Sequence, residues 1–395
     1  MTDEPRRALL PPVGWIMLAA ALALSGLGLA GIYAGEADAP AGPVLTLRQV
    51  ASLAAALIGF VLVYSIGCQR LGPGAYVWYG LAVAALAALV AARWLPLAPL
   101  IKPRRNAFRW IDLGVTAFQV SEAAKLAFIL ALAWFLRFRT DQRRVRGLLV
   151  PVLLTAVPAG LILLEPDLGT AMLLLPTLAA VLFAAGMRVF HAAVGLAVGA
   201  VAAPLFYFSP LMSEYQRQRV RAVVRQNETD PAWHNAAGYQ LRQSKIAIGS
   251  GGPLGRGFLE GGFFRHNLLP EEHNDFIFAV IAHQWGLAGS LGVLVCYGLV
   301  LLTCLMIAGS THDPFGRLVC VGVSALIGTQ AFVNIAMTIG LLPITGLTLP
   351  FVSFGGSGLA ANYATLALVS SVAARRRISL APRAFEFPDE DEPAG

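Results

Sequence analysis

GWIMLAAALALSGLGLAGIY, residues 14 to 33, runs twenty residues without a charge. An α-helix of that length reaches about 30 Å, the thickness of a bilayer's hydrocarbon core. The apolar run is continuous, not alternating, so it predicts a transmembrane helix and not a barrel strand. Arg6 and Arg7 precede it and no cleavable signal peptide stands out, so the run reads as a first span.

The rest of the chain repeats the pattern. Of its 395 residues, 57% are hydrophobic and 13% charged, with mean hydropathy +0.68; a soluble domain carries about 25% charged residues. Apolar windows near 49–67, 75–97, 119–137, 147–164, 168–187, 189–209, 276–308, 316–342 and 351–373 complete a set of ten. The fold class is therefore all-α, a polytopic membrane protein with a large loop, about 210–275, between the seventh and eighth spans. The eighth window is overlong, which suggests tilting or first turns lying in the interface. Cys68, Cys296, Cys304 and Cys320 show neither metal-ligand spacing nor a disulfide framework.

Charge sets the orientation. With residues 1–13 in the cytoplasm, the inner loops carry Arg70, Arg137, Arg139, Arg143, Arg144, Arg146, Arg188 and Arg317, and Arg375, Arg376 and Arg377 follow the last span at 374. Both termini are then cytoplasmic, and the acidic tail within 375–395 reads as disordered. Two outer segments break the rule. Residues 98–118 hold Lys102, Arg104, Arg105 and Arg109, and the large loop holds Arg217, Arg219, Arg221, Arg225, Arg242, Lys245, Arg256 and Arg265. An anionic ligand would favour such an arrangement; pairing with the loop's own seven acidic residues would too.

Several constellations could carry chemistry. In QVSEAAKL (119–126), Glu122 and Lys125 share a helix face, as a structural ion pair or, with Arg109 and Trp110, as part of a cationic pocket. In EPDLGTA (165–171), Pro166 stops one helix and Asp167 caps the next. The glycines of GYQLRQSKIAIGSGGPLGRG (238–257) could cradle phosphate oxygens or simply form a loop. GLLPITGLTLPFVSFGGSGLAANYA (340–364) looks re-entrant; its Ser353, Gly355, Gly356 and Ser357 would let a helix or lipid chain approach closely. LLPEEHNDFIFA (268–279) sets Asp275 last before the hydrocarbon, as a helix cap or a general base.

Taken in this order, RWIDLG, QVSEAAKL, EPDLGTA, YQLRQSKIAIGSGG, LPEEHNDFIFA and GLLPITGLTLPFVSFGGSG resemble the SEDS family of RodA, FtsW and SpoVE over residues 104–364. These are bacterial membrane glycosyltransferases that polymerise lipid II into peptidoglycan. QSKIAIGSGG and its spacing to LPEEH look like RodA, the elongation enzyme, and GLTLPF is closer to FtsW; the balance leans to RodA. The resemblance implies Asp275 as catalytic base of an inverting transfer. Arg109, Lys125 and either Arg104 or Arg217 would neutralise the departing undecaprenyl diphosphate, with Glu122 orienting Lys125 and Ser353 in the substrate groove. No cofactor is required with certainty; a divalent cation could assist, though no metal-ligand set is legible. The implied partners are lipid II, membrane lipids and a class B penicillin-binding protein, with no nucleic acid, at the bacterial cytoplasmic membrane. The alternatives are a lipid II flippase and a scaffold that recruits the transpeptidase. The chain departs from the pattern at Asn106, Val120 and Asn274, and His283 and Gln284 stand where paired glutamates are expected.

Overall fold

A computed structural model describes residues 11–36, 42–92, 109–112, 117–210, 212–226, 238–260, 269 and 271–374. Arg104, Arg105 and the acidic tail lie outside the described residues.

Each predicted span has its helix: α1 (Pro12–Glu36), α2 (Val44–Ile66), α3 (Ala75–Ala91), α4 (Val120–Leu136), α5 (Val145–Leu164), α6 (Leu168–Ala184) and α7 (Val189–Phe208). The large loop is no linker; its described residues include two short helices, α8 (Glu214–Val224) and α9 (Tyr239–Gly251). The bundle then closes with α10 (Ile277–Gly309), α11 (Pro314–Thr338) and α12 (Gly356–Ala374). Among the described residues, eight helices are long and apolar enough to cross a bilayer, α3 reaching that length when the segment from Cys68 is counted with it; α6 is a shorter apolar helix. The chain is an all-α multi-pass membrane protein whose described residues add one small hairpin, β1 (Trp110–Asp112) paired antiparallel with β2 (Ala117–Gln119).

Local chemistry fixes the helix starts. The Asp167 carboxylate accepts from Thr170 N and Oγ1 at the head of α6, as the sequence suggests. Asp313 caps α11 through Phe315 N and Gly316 N, with Pro314 in the first turn, where its missing N–H costs nothing. Ser213 and Gln216 form a reciprocal capping box on α8. Helices α4, α11 and α12 and the start of α10 build the core, whose largest fully buried side chains include Tyr363, Phe128 and Phe276. By contrast, α7 buries none of its residues.

Two expectations are corrected. The eighth span is not one tilted helix. Gly286 adopts φ 61°, ψ −150°, breaking α10, and Ile277 to Gln284 is buried in the bundle. The break frees backbone groups that the glycine cluster then satisfies: Arg256 N and Gly257 N donate to His283 O and Gln284 O, while Leu287 N and Ala288 N donate to Gly252 O and Pro253 O. The Arg256 and Gly257 amides are therefore spent on the kink, and not on a phosphate nest. Glycine is required where the backbones meet, because a Cβ on Gly286 would overlap Gly255 N and one on Gly255 the Gln284 carbonyl. Gly286→Ala should therefore lose about 2–3 kcal/mol, read as a lowered thermal unfolding midpoint of the purified protein.

The last span is also shorter than its apolar window, starting at Gly356 and not near 351. Residues 339–355 run without helix, yet Ile344, Leu347, Leu349, Phe351 and Val352 are buried. Irregular backbone inside a membrane bundle needs internal partners for its polar groups. Those partners organise the site.

Candidate active site

Three consecutive carbonyls before α10 are each held from another element. Phe354 N donates to His273 O at 2.9 Å, Ser353 Oγ to Asn274 O at 2.6 Å, and Asn334 Nδ2 to Asp275 O at 2.9 Å. Asn334 Nδ2 also donates to Leu347 O at 2.6 Å, so one amide on α11 ties the Asp275 turn to the irregular segment. Ser353 Oγ accepts from Leu349 N, and Gln49 of α2 brackets the same loop, donating to Ser353 O and accepting from Gly355 N. Side-chain orientation at Asp275 is thus set by a backbone that has little freedom to move.

The half-buried Asp275 carboxylate lies beside Gly346, and so does the Arg219 guanidinium of α8. A Cβ on Gly346, whose φ is 76°, would stand 3.2 Å from Arg219 Nη1 and 3.5 Å from Asp275 Oδ2. Arg219 is steadied by Tyr215, whose hydroxyl accepts from Nη2 at 2.6 Å and whose ring lies under the guanidinium. An anionic base candidate and a cation are therefore brought together by a glycine that leaves the gap between them open.

Glu122 and Lys125 form a buried ion pair at 2.8 Å, and Lys125 Nζ also donates to Gln330 Oε1 at 3.0 Å. Gln330 Nε2 passes the link to Thr348 O at 2.9 Å. Gln330 and Asn334, one turn apart on α11, thus tie the α4 pair and the Asp275 turn to the same irregular segment.

The two described arginines that the resemblance singled out, Arg109 and Arg217, have different work. Arg109 donates through Nε to Glu165 O at 2.7 Å and through Nη2 to Pro166 O, with Nη1 4.0 Å from Asp167 Oδ2. It binds the EPD turn, which in turn packs Gly169 against Leu347 and the Thr345 carbonyl. Arg217 donates to Tyr207 O and Ser209 O, closing the C-terminus of α7, and pairs loosely with Glu214. Neither guanidinium is brought to Asp275 in the way that Arg219 is.

His283 and Gln284, at the position of the expected glutamates, are buried where α9 meets α10, and His283 Nδ1 pairs with Ser250 Oγ at 2.7 Å. Among the described residues no group of three or more His, Cys, Asp or Glu side chains is arranged to hold a metal ion.

Beside Asp275, Glu272 is only 8% exposed, and burial pushes its carboxyl up to about 7 from an ordinary value near 4.5. A folded pKa above the unfolded one destabilises wherever the folded carboxyl is forced to ionise. The penalty is absent below about pH 4.5 and complete above about pH 7, reaching about 3 kcal/mol from a shift of this size. Wild-type stability should therefore fall relative to Glu272→Gln as pH rises from 5 to 8, a comparison read from paired thermal melts in low-salt sodium buffer.

Comparison with known proteins identifies the family. The family model described as "Cell cycle protein", of FtsW, RodA and SpoVE, matches residues 14–378. The chain is 40% identical over 276 residues to the Escherichia coli peptidoglycan glycosyltransferase MrdB, covering 69% of this chain and 73% of that one. Its fold is similar to a chain of a peptidoglycan synthase complex that coordinates polymerization and crosslinking, with TM-score 0.77, 31% identity, and coverage of 92% and 98%. It is also similar to the rod shape determining protein RodA of Thermus thermophilus, with TM-score 0.66, 29% identity, and coverage of 94% and 98%. By sequence along nearly its whole length, and by fold, the chain belongs to the FtsW/RodA/SpoVE family.

Proposed function

We propose that this chain is a RodA-like peptidoglycan glycosyltransferase that polymerises lipid II for cell-shape elongation. The observation that carries the reading is the Asp275 carboxylate, on a turn clamped at three carbonyls, facing Arg219 across Gly346. Chain growth needs a base for the attacking sugar hydroxyl and positive charge for the leaving diphosphate. Asp275 takes the hydroxyl proton as the new glycosidic bond forms with inversion, and the old bond to undecaprenyl diphosphate breaks. Arg219 stands where charge-assisted hydrogen bonds to the diphosphate would be made. Arg242 and Lys245 of α9 line a hollow of about 250 Å³ at the same end and add to the positive field. Arg109 and Arg217 act by holding the EPD turn and the end of α7, and the buried Glu122–Lys125 pair supports the irregular segment. Ser353 serves through the Asn274 carbonyl it holds.

In this reading the Asp275 end faces outward from the bacterial cytoplasmic membrane, with both termini cytoplasmic, because lipid II is polymerised there. The chain works with a class B penicillin-binding protein, a reading supported by its likeness to a chain from a peptidoglycan synthase complex. The test is purified protein with that partner and labelled lipid II. Glycan strands on a gel are expected. Transfer of labelled lipid II across liposomes without strands would replace the enzyme with a flippase, and neither outcome would leave a scaffold.

A further inference from the structure

A second hollow of about 250 Å³ lies on the other side of the Asp275 turn, lined by Ile32, Gly35 and Glu36 of α1, Leu45 of α2, and Glu272 and His273. Glu272 is more than nine-tenths buried, its Oε1 packs against Gly35, and its buried Oε2 has no hydrogen-bond partner. A buried carboxylate oxygen without a donor costs several kcal/mol in general, so such groups are retained where something supplies the donor.

The second carboxylate on the wall belongs to Glu36. Its Oε1 accepts from Leu45 N at 2.7 Å, and its Oε2 accepts from Thr46 N and Thr46 Oγ1, each at 2.8 Å. Those donors sit at the N-terminus of α2, where the helix favours a negative charge, so Glu36 has a fixed place in the wall. The hollow thus joins two acids at an end of the molecule otherwise rich in arginine. It is also roomier than one bare ion needs, and Ile32 and Leu45 give it apolar sides.

We propose that this hollow is a binding site for a primary ammonium group, with Glu272 Oε2 and the Glu36 carboxylate accepting its N–H bonds and Ile32 and Leu45 packing its alkyl stem. An ammonium supplies three donors and a positive charge, which is what an unpaired buried carboxylate lacks. A dedicated metal site is the poorer match, since the described residues offer no cluster of three ligating side chains. The group could arrive on an aminophospholipid headgroup, because α2, which gives Leu45 to the wall, leaves the apolar Leu47 and Val50 exposed, or on a soluble amine. This site is independent of the glycosyltransfer reading and is tested without activity.

The experiment is thermal unfolding of the purified full chain at pH 7.5, wild type against Glu272→Gln. Ethylammonium chloride and magnesium chloride are titrated separately, with sodium chloride matching ionic strength. Nanodiscs of phosphatidylethanolamine are compared with nanodiscs of phosphatidylglycerol. Wild type should show a saturable rise of several degrees with ethylammonium that the glutamine variant lacks. Glu272→Gln is isosteric and relieves an unpaired charge, so without amine it should melt above wild type. A wild-type-specific gain in phosphatidylethanolamine discs identifies a headgroup source; a gain with ethylammonium alone identifies a soluble amine. Equal responses in both proteins, no response to either amine, or a response to magnesium alone would overturn the proposal.

Discussion

Asp275→Asn is expected to abolish lipid II polymerisation to within the assay background, a loss of about 10²–10⁴-fold, while the protein still folds and enters the membrane. The amide keeps the shape of the carboxylate but cannot take a proton from the attacking sugar hydroxyl. The three contacts that place the turn, from Asn334, Ser353 and Phe354, go to backbone carbonyls and are untouched by the substitution. That separation makes the result diagnostic. An unaltered melting profile with lost strands assigns the deficit to chemistry. Strands persisting undiminished would remove Asp275 as the base and shift attention to the basic side of the site at Arg219. Measuring the rate against pH adds a second check, because a general base imposes an acidic limb that the asparagine variant should no longer show.

How much of this was legible in the sequence depended on the range of the interactions involved. The spans were readable because hydropathy is a local property, and so was the Asp167 cap, which acts on Thr170 only three residues away. The kink at Gly286 was not, since it depends on glycines some thirty residues earlier that fit against it. The arginines of α8 show the same limit. Arg217 and Arg221 share one face of a short helix, where both pair with Glu214, and Arg219 lies on another; only the fold decides that Arg217 closes α7 while Arg219 meets Gly346 beside Asp275. Gln330 and Asn334 left a fainter signal. They are polar residues at helical spacing inside an apolar span, the pattern that marks an inward-facing polar stripe. Gln49 in α2 could have been noticed in the same way. The clamping role of Ser353 could not, because its partner Asn274 lies 79 residues away in the chain.

Lys125→Met should lower stability by about 3–5 kcal/mol, because it strands the buried Glu122 carboxylate without its counter-charge. Lys125 is 2% exposed and Glu122 is 7% exposed, so water cannot replace the lost partner, and Gln330 loses its donor as well. The double variant Glu122→Gln/Lys125→Met removes both charges together and should recover most of the loss, since replacing a whole buried pair is far less costly than breaking it. A double-mutant cycle of melting midpoints measures this directly. The same cycle decides between two roles for Lys125. If the lysine only braces α4 against α11, the refolded double variant should polymerise lipid II at a rate near wild type. If it also reaches the diphosphate in a state of the enzyme that holds substrate, stability will return and activity will not. The geometry favours bracing: Nζ is already shared between Glu122 and Gln330, and withdrawing it to meet a phosphate would leave the Glu122 carboxylate buried without its partner.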